Sequence, residues 1–146
     1  MKHNGFIEIK KPHHQVAQLF MDPDSYKEYQ DGFLRKELVK GVIGQAGAVS
    51  KIYYQFGKSE MEMEETILAN RLPDFFEAVY HHKHMDNTMK CRFIAIDEFS
   101  TRYEYEYEYT RINWVMPRLM SILFPSMYRK PAEKWIGQFK TYIEKQ

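Results

Sequence analysis

Residues Pro125 to Lys145 read PSMYRKPAEKWIGQFKTYIEK, and this stretch decides the fold. Its apolar residues recur at intervals of three and four, which is the spacing of one face of an amphipathic helix. That face consists of Tyr128, Ala132, Trp135, Ile136, Phe139, Tyr142 and Ile143. The pattern therefore predicts one long helix that has a large apolar surface to bury.

The segment directly before this helix, residues 114–124, is strongly apolar. Pro117 suits the first turn of a helix, whereas Pro125 should interrupt one. Pro131 lies inside the long pattern, where it removes one backbone hydrogen bond and can kink the helix or delay its start. The sequence predicts a short helix, a bend near Pro125 and then the long helix.

The chain before residue 114 is dominated by β-strand patterns, in which apolar and polar residues alternate between turn residues. After a first short strand at residues 6–10, the predicted strands are residues 33–40, 49–56, 59–69, 75–84, 88–99 and 101–110. In the last strand, tyrosines alternate with glutamates, which indicates one face toward protein and one toward water. A large antiparallel sheet is the expected result.

Two short helices are predicted between the first strand and the rest of the sheet. Pro12 opens the first helix, whose apolar stripe includes Val16 and Leu19. Asp22 and Pro23 end it and start the second, because aspartate can cap a helix and proline suits its first position. The order is therefore strand, two helices, six strands and a long helix. This is an α+β chain in which one helix covers a seven-stranded antiparallel sheet.

Length, charge and cysteine content limit the class of protein. The 146 residues are expected to form one domain, residues 1–146, and 21 basic against 20 acidic residues argue against nucleic-acid binding. Cys91 is the only cysteine, so no internal disulfide can form. Residues 1–11 lack the apolar run of a signal peptide, and no window has the length of a membrane span. We expect a cytoplasmic protein without a membrane span, and the oligomeric state stays open.

The content of bulky, partly polar side chains is high. The chain has 11 Tyr, 10 Phe and 9 Met. Met and Tyr suit irregular apolar walls, so this composition indicates a loosely filled interior or a cavity. The alternative is that a strand-rich chain simply favours aromatic residues.

Short features along almost the whole chain resemble the SRPBCC (START-like) superfamily, most closely its polyketide cyclase/dehydrase-like branch. The features are Lys11-Pro12 with Val16 and Leu19, Asp22-Pro23 with Tyr29, Gly44 with Gly47, Glu65-Thr66 followed by Leu72-Pro73, Asn87 with Arg92-Phe93, and Phe139-Lys140 with Glu144. Each is a turn, cap or packing signal, so the resemblance concerns the fold rather than chemistry. Two positions depart from it, since Tyr29 stands where tryptophan is common and Lys11 where a small residue often precedes the proline.

This resemblance implies the helix-grip fold, in which a curved seven-stranded antiparallel sheet surrounds the C-terminal helix and leaves a deep apolar cavity. The candidate ligand-binding residues are Phe124, Met127, Tyr128 and Trp135 on the helix side, and Tyr54, Phe56, Met61, Met63, Tyr105 and Tyr107 on the sheet side. The alternative for each of them is plain core packing.

Two residues are candidates for acid–base catalysis, Glu65 and His82. Glu65 shares the strand parity of Met61 and Met63, so it is expected on the apolar face, where burial would raise the pKa of its carboxyl. The alternative is that Glu65 pairs with an arginine or caps a turn. His82 shares one predicted strand face with His84.

No metal site or cofactor is expected. His82 and His84 could hold zinc together, but no third ligand is evident in the sequence. Cys91 has no visible histidine partner for nucleophilic catalysis. Phosphate loops, dinucleotide-binding fingerprints and nucleophile elbows are absent from the sequence.

Three functions remain open at this point. The first is binding or transport of a hydrophobic small molecule, such as a lipid, an aromatic or a polyketide-like compound. The second is a cyclase or dehydratase that acts on a polyketide-like substrate through a buried acid or base. The third, implied by another branch of the superfamily, is a protein-interaction role in regulating a chaperone.

Overall fold

The computed structural model describes residues 2–113 and 126–146, with side chains over 2–113 and 130–146. The short helix predicted at residues 114–124 lies outside this range. The strands are β1 (Lys2–Ile9), β2 (Phe33–Lys40), β3 (Val49–Phe56), β4 (Ser59–Arg71), β5 (Phe75–His81), β6 (Met85–Asp97) and β7 (Ser100–Ile112). The helices are α1 (His13–Phe20), a 3₁₀ turn (Pro23–Ser25), α2 (Tyr26–Tyr29) and α3 (Ser126–Glu144).

The seven strands form one antiparallel sheet in the order β1-β7-β6-β5-β4-β3-β2. Strands β2 to β7 are joined in sequence, and β1 closes the order by pairing with β7. The predicted fold class, a seven-stranded antiparallel sheet with a long C-terminal helix and two short helices after the first strand, is confirmed.

Local signals in the sequence account for the turns. Asp22 caps the 3₁₀ turn, since its carboxylate accepts a hydrogen bond from the backbone N–H of Asp24 at 3.0 Å. Gly32 precedes β2 at a φ of +75°, and an added Cβ there would lie 2.4 Å from the carbonyl oxygen of Gln55. Only glycine fits this turn without strain.

The predicted long helix after Pro125 is confirmed, since α3 runs from Ser126 to Glu144 and Pro131 lies inside it without delaying its start. Several predicted strand ends differ from the structure, most of all at β1, which begins at Lys2 rather than at residue 6, and at the β5–β6 connection. Strand β5 ends at His81 rather than at residue 84, and β6 begins at Met85 rather than at residue 88, so Asp86 and Asn87 lie in a strand and not in the turn expected between the two predicted strands. Asp86 is kept in the strand by Arg111 of β7, whose Nε donates to its carboxylate at 2.7 Å.

Helix α3 packs its C-terminal half into the core. Phe139 is fully buried, and its ring centroid lies 4.8 Å from that of Tyr29 and 6.0 Å from those of Phe20 and Tyr103. The end of the helix is tied to the sheet, because the backbone N–H of Lys10 donates to the Glu144 carboxylate at 2.8 Å. Within the described residues, no helix has both the length and the apolar character that a membrane crossing requires.

We expect Phe139→Ala to lower the free energy of unfolding by about 3–5 kcal/mol, because it removes the ring that joins α3 to the short helices and the sheet. Urea unfolding followed by circular dichroism measures this change. The exposed helix position Glu133 supplies the control, since Glu133→Ala should stay within about 0.5 kcal/mol of the parent. Equal, small effects for both variants would contradict the packing described for α3.

Candidate functional site

A cavity of about 800 Å³ lies between the inner face of the sheet, the short helices and α3. Sites of roughly 300–1,000 Å³ that are mostly apolar are typical of small-molecule binding. The sheet contributes Lys36, Ile52, Tyr54, Phe56, Met61, Met63, Glu65, Phe76, Tyr80, Asn87, Met89 and Tyr107. The helical side contributes Phe20, Met21, Tyr26, Tyr29, Gln30, Asp31, Lys130, Pro131, Lys134, Trp135 and Gln138.

The register of the β3–β4 hairpin builds one wall of this cavity. Tyr54 lies opposite Met61, and Ile52 lies opposite Met63. Side chains on directly paired residues point to the same face, so these four side chains form one apolar surface. Glu65 follows at the same parity, before the register shift that occurs beyond Ile67. The carboxylate therefore points inward with the methionines.

The structure brings six of the ten predicted ligand-binding residues to the cavity. These are Tyr54, Phe56, Met61, Met63, Tyr107 and Trp135. Tyr105 does not line it, because its side chain lies across Gly5 of the paired strand β1, where an added Cβ would be 2.6 Å from the tyrosine hydroxyl. Phe124 and the side chains of Met127 and Tyr128 lie outside the described part of the chain.

A buried polar cluster lies in the apolar wall and is formed by Lys36, Glu65 and Tyr80. The Lys36 ammonium donates to Glu65 Oε1 at 2.7 Å, and the Tyr80 hydroxyl donates to Glu65 Oε2 at 2.8 Å. Glu65 is only 5% exposed, and the Lys36 nitrogen lies 5.3 Å from the centroid of the Tyr26 ring. The partner of Glu65 is thus a lysine and not the arginine considered from the sequence. All four residues line the cavity.

The cavity opens to solvent near the N-terminal half of α3. Lys134 forms an ion pair of 2.7 Å with Asp31, and both side chains are well exposed. Phe56, at the end of β3, is 58% exposed although it lines the cavity. Lys130 is exposed as well. Among the described lining residues, the mouth is therefore charged and the interior mainly apolar, apart from the Lys36–Glu65–Tyr80 cluster and the amide of Asn87, which lies opposite Tyr80.

The phenols around Glu65 are held in their neutral form. Burial raises the pKa of Tyr26, Tyr54 and Tyr80, and the nearby Glu65 charge raises the pKa of each of them further. Tyr54 also donates its hydroxyl hydrogen to Gln30 Oε1 at 2.6 Å, which links β3 to the residue after α2. These hydroxyl groups act in the wall as neutral hydrogen-bonding groups.

His82 does not join Glu65. It lies in the turn between β5 and β6, where its Nδ1 accepts a hydrogen bond from the backbone N–H of His84 at 3.2 Å. Partial burial and the neighbouring His84 and His81 lower the pKa of its imidazole. Because the turn comes three residues earlier than predicted, His82 and His84 do not share a strand face, and His82 is absent from the cavity wall.

Sequence reasoning missed several residues of this wall. Tyr80 carried a usable signal, since it shares strand parity with Phe76, which is buried on the inner face. The sequence held no such signal for Lys36. The register of β2 shifts between Phe33 and Arg35, which breaks the alternation of side chains directly before Lys36. Tyr26 comes from α2, whose four residues are too few for a helical pattern.

We expect the free energy of unfolding to fall as the pH rises from about 10. The folded protein keeps Tyr26, Tyr54 and Tyr80 protonated, whereas in the unfolded chain each ionises near its ordinary pKa of 10.0. Stability from a raised pKa is complete below the unfolded value and is lost above it. Urea unfolding between about pH 9 and 11 measures this loss, which Tyr54→Phe should reduce. A constant free energy over that interval would contradict the burial of these phenols.

No protein-family profile matches the sequence, and no curated protein is significantly similar to it. Solved structures are similar over nearly the whole chain. The Zhui aromatase/cyclase from a Streptomyces species has a TM-score of 0.78 at 8% identity, and the alignment covers 99% of this chain and 93% of that protein. A conserved protein from Geobacillus kaustophilus has a TM-score of 0.78 at 14% identity, and the alignment covers 99% of this chain and 96% of that protein.

A third similar structure is that of Ara h 8.0201, with a TM-score of 0.78 at 11% identity and coverage of 100% of this chain and 99% of its own. At such identities the likeness concerns the fold, and it agrees with the strand order and the position of α3. The chain therefore has the helix-grip fold that these structures share.

Proposed function

We propose that this protein binds a hydrophobic small molecule, such as a lipid, an aromatic or a polyketide-like compound, in the cavity between the sheet and α3. The observation that supports this most directly is a space of about 800 Å³ whose wall is mainly aromatic and methionine side chains. Interiors are normally packed without voids larger than a water molecule. A cavity of this size therefore leaves room for a ligand that buries apolar surface.

The wall is suited to a flat or flexible apolar ligand. Met61, Met63 and Met89 line it, and methionine adapts its shape to irregular partners. The rings of Trp135 on α3 and Tyr107 on β7 meet where the helical and sheet sides join, with their centroids 6.5 Å apart. Two proteins of the same fold are described as aromatase/cyclases, which agrees with a cavity for ring-shaped or polyketide-like molecules.

The first test is native mass spectrometry of the freshly purified protein, followed by solvent extraction of any bound compound. A stoichiometric apolar adduct is the expected result. A ligand at about 100 times its dissociation constant should also raise the free energy of unfolding by about 2.7 kcal/mol. A bare protein mass, together with no thermal shift across a panel of lipids and aromatics, would contradict the proposal.

Filling the cavity should abolish this binding. Met63→Trp places a large ring in the cavity, whereas Glu62→Trp places the same ring on the exposed, opposite face of β4. We expect Met63→Trp to lose most of its affinity for the extracted ligand while keeping a cooperative unfolding transition. Glu62→Trp should bind as the parent does. Unchanged affinity in Met63→Trp would place the ligand elsewhere.

A second candidate function is that of a cyclase or dehydratase. The observation that favours it is the Glu65 carboxylate, which lies in the cavity wall beside an ammonium and a phenol. A carboxylate can remove a proton next to a carbonyl group, and hydrogen-bond donors can stabilise the oxyanion that develops. Such a set suits elimination of water from a β-hydroxyketone.

Glu65→Gln separates this function from passive binding. General acid–base catalysis contributes about 10²–10⁴-fold, so a catalytic Glu65 should lose turnover of a β-hydroxyketone substrate by that factor with a much smaller change in affinity. Tyr80→Phe serves as a second variant in case the glutamine leaves Lys36 unpaired and the fold weakened. Glu64→Gln on the same strand is the control. Unchanged turnover in both Glu65→Gln and Tyr80→Phe would exclude catalysis by this cluster.

A further inference from the structure

We propose that the Lys36–Glu65–Tyr80 cluster makes the cavity select a neutral ligand that carries a hydroxyl group. A pure hydrocarbon and a carboxylate of the same size and shape would bind more weakly. This inference rests on the proposed function, since it names the chemistry of the ligand that the same cavity takes. It concerns which apolar molecules are accepted and not whether one is bound.

Within the described part of the chain, the hydrogen bonds of Glu65 leave two of its four acceptor positions open. Each carboxylate oxygen offers two lone-pair directions, and each accepts one hydrogen bond, from Lys36 and Tyr80 respectively. Glu65 itself lines the cavity, so a ligand hydroxyl can reach the remaining acceptor positions. Hydrogen bonds to an ionised carboxylate are about twice as strong as neutral ones.

The charges around the cavity disfavour a carboxylate ligand in the interior. Lys36 and Glu65 neutralise one another, with side chains that are only 15% and 6% exposed. Among the described lining residues, the other carboxylate and ammonium groups belong to Asp31, Lys130 and Lys134 and lie at the exposed mouth. A second carboxylate beside Glu65 would therefore be desolvated next to a like charge, with its nearest buried cation already paired.

A hydrocarbon ligand is disfavoured for a different reason, namely that it cannot form hydrogen bonds with the cluster. It displaces solvent from the cavity face of Glu65 and Lys36 and offers them no hydrogen bond. A buried polar group that loses its partner retains the cost of desolvation. A neutral hydroxyl group restores that hydrogen bond without adding charge, and so it suits this wall better than either alternative.

The test uses three fluorescent probes that share one four-ring skeleton, namely pyrene, 1-hydroxypyrene and 1-pyrenecarboxylate. Fluorescence titration at neutral pH measures their dissociation constants with the parent protein. We expect 1-hydroxypyrene to bind about tenfold tighter than pyrene, which corresponds to one hydrogen bond to a charged group. The carboxylate should bind more weakly than 1-hydroxypyrene.

The double variant Lys36→Met with Glu65→Leu removes the cluster without leaving a buried charge unpaired. It should still bind pyrene and should lose the preference for 1-hydroxypyrene. The matched control is Lys51→Met with Glu62→Leu, which removes an exposed ion pair of 3.1 Å between β3 and β4, the strand that carries Glu65. That control should keep the tenfold preference.

Each result bears on one of the two proposals. Equal affinity of the parent for all three probes would overturn the selectivity and leave the binding function supported. A preference that survives in the Lys36→Met, Glu65→Leu variant would overturn the role of the cluster. Tightest binding of the carboxylate would also overturn the inference, in favour of an anion site at the mouth. Failure of every probe to bind would count against the apolar binding site itself and therefore against both.

Discussion

The difference in width between one helix and a seven-stranded sheet is the constraint on which this structure depends. Strands spaced at about 4.8 Å make a sheet about 30 Å across, whereas a helix with its side chains is only about 10 Å wide. Helix α3 can cover only part of the inner face, and α1 covers another part through Phe20, whose ring lies against Phe76 and Phe93. What stays uncovered, between these helices and strands β2 to β7, is the cavity. The empty space is thus a consequence of the topology, and the side chains decide its chemistry.

The ion pair between Lys36 and Glu65 is not explained by stability. Replacing a buried ion pair by apolar residues of similar volume is often neutral or stabilising, since desolvation of two charges offsets their attraction. Here the pair lies among aromatic and methionine side chains, where apolar residues would fit. Its hydrogen bonds to Tyr80 and its contact with the Tyr26 ring hold both charges in fixed positions. A costly group held so firmly in a cavity wall indicates a role in what the cavity accepts.

Most of the fold could be predicted because apolar residues recur at the strand period or the helix period along most of the chain. Strands β2 and β3 have the predicted bounds, since glycines mark the turns beside them and the strand pattern is continuous between those turns. The β5–β6 turn could not be placed, because Asp86 looks like a turn residue and its partner Arg111 is 25 residues away. Local chemistry indicated a turn, and a long-range ion pair overrode it.

The site was less predictable than the fold. Alternation along a strand predicts on which face of the sheet a side chain lies, but not toward which neighbour on that face it points. Tyr105 has the correct parity and still turns away from the cavity, since Gly5 on the neighbouring strand leaves room for its ring. Lys36 reaches the wall only through an irregular register in β2, which nothing in the sequence marks. Different parts of α3 have different surroundings. Its C-terminal half packs into the core, whereas Lys134 and Trp135 border the cavity. Core and cavity mouth therefore meet along one helix, so a substitution at the exposed Lys134 can change the charge of the mouth without touching the buried ring of Phe139.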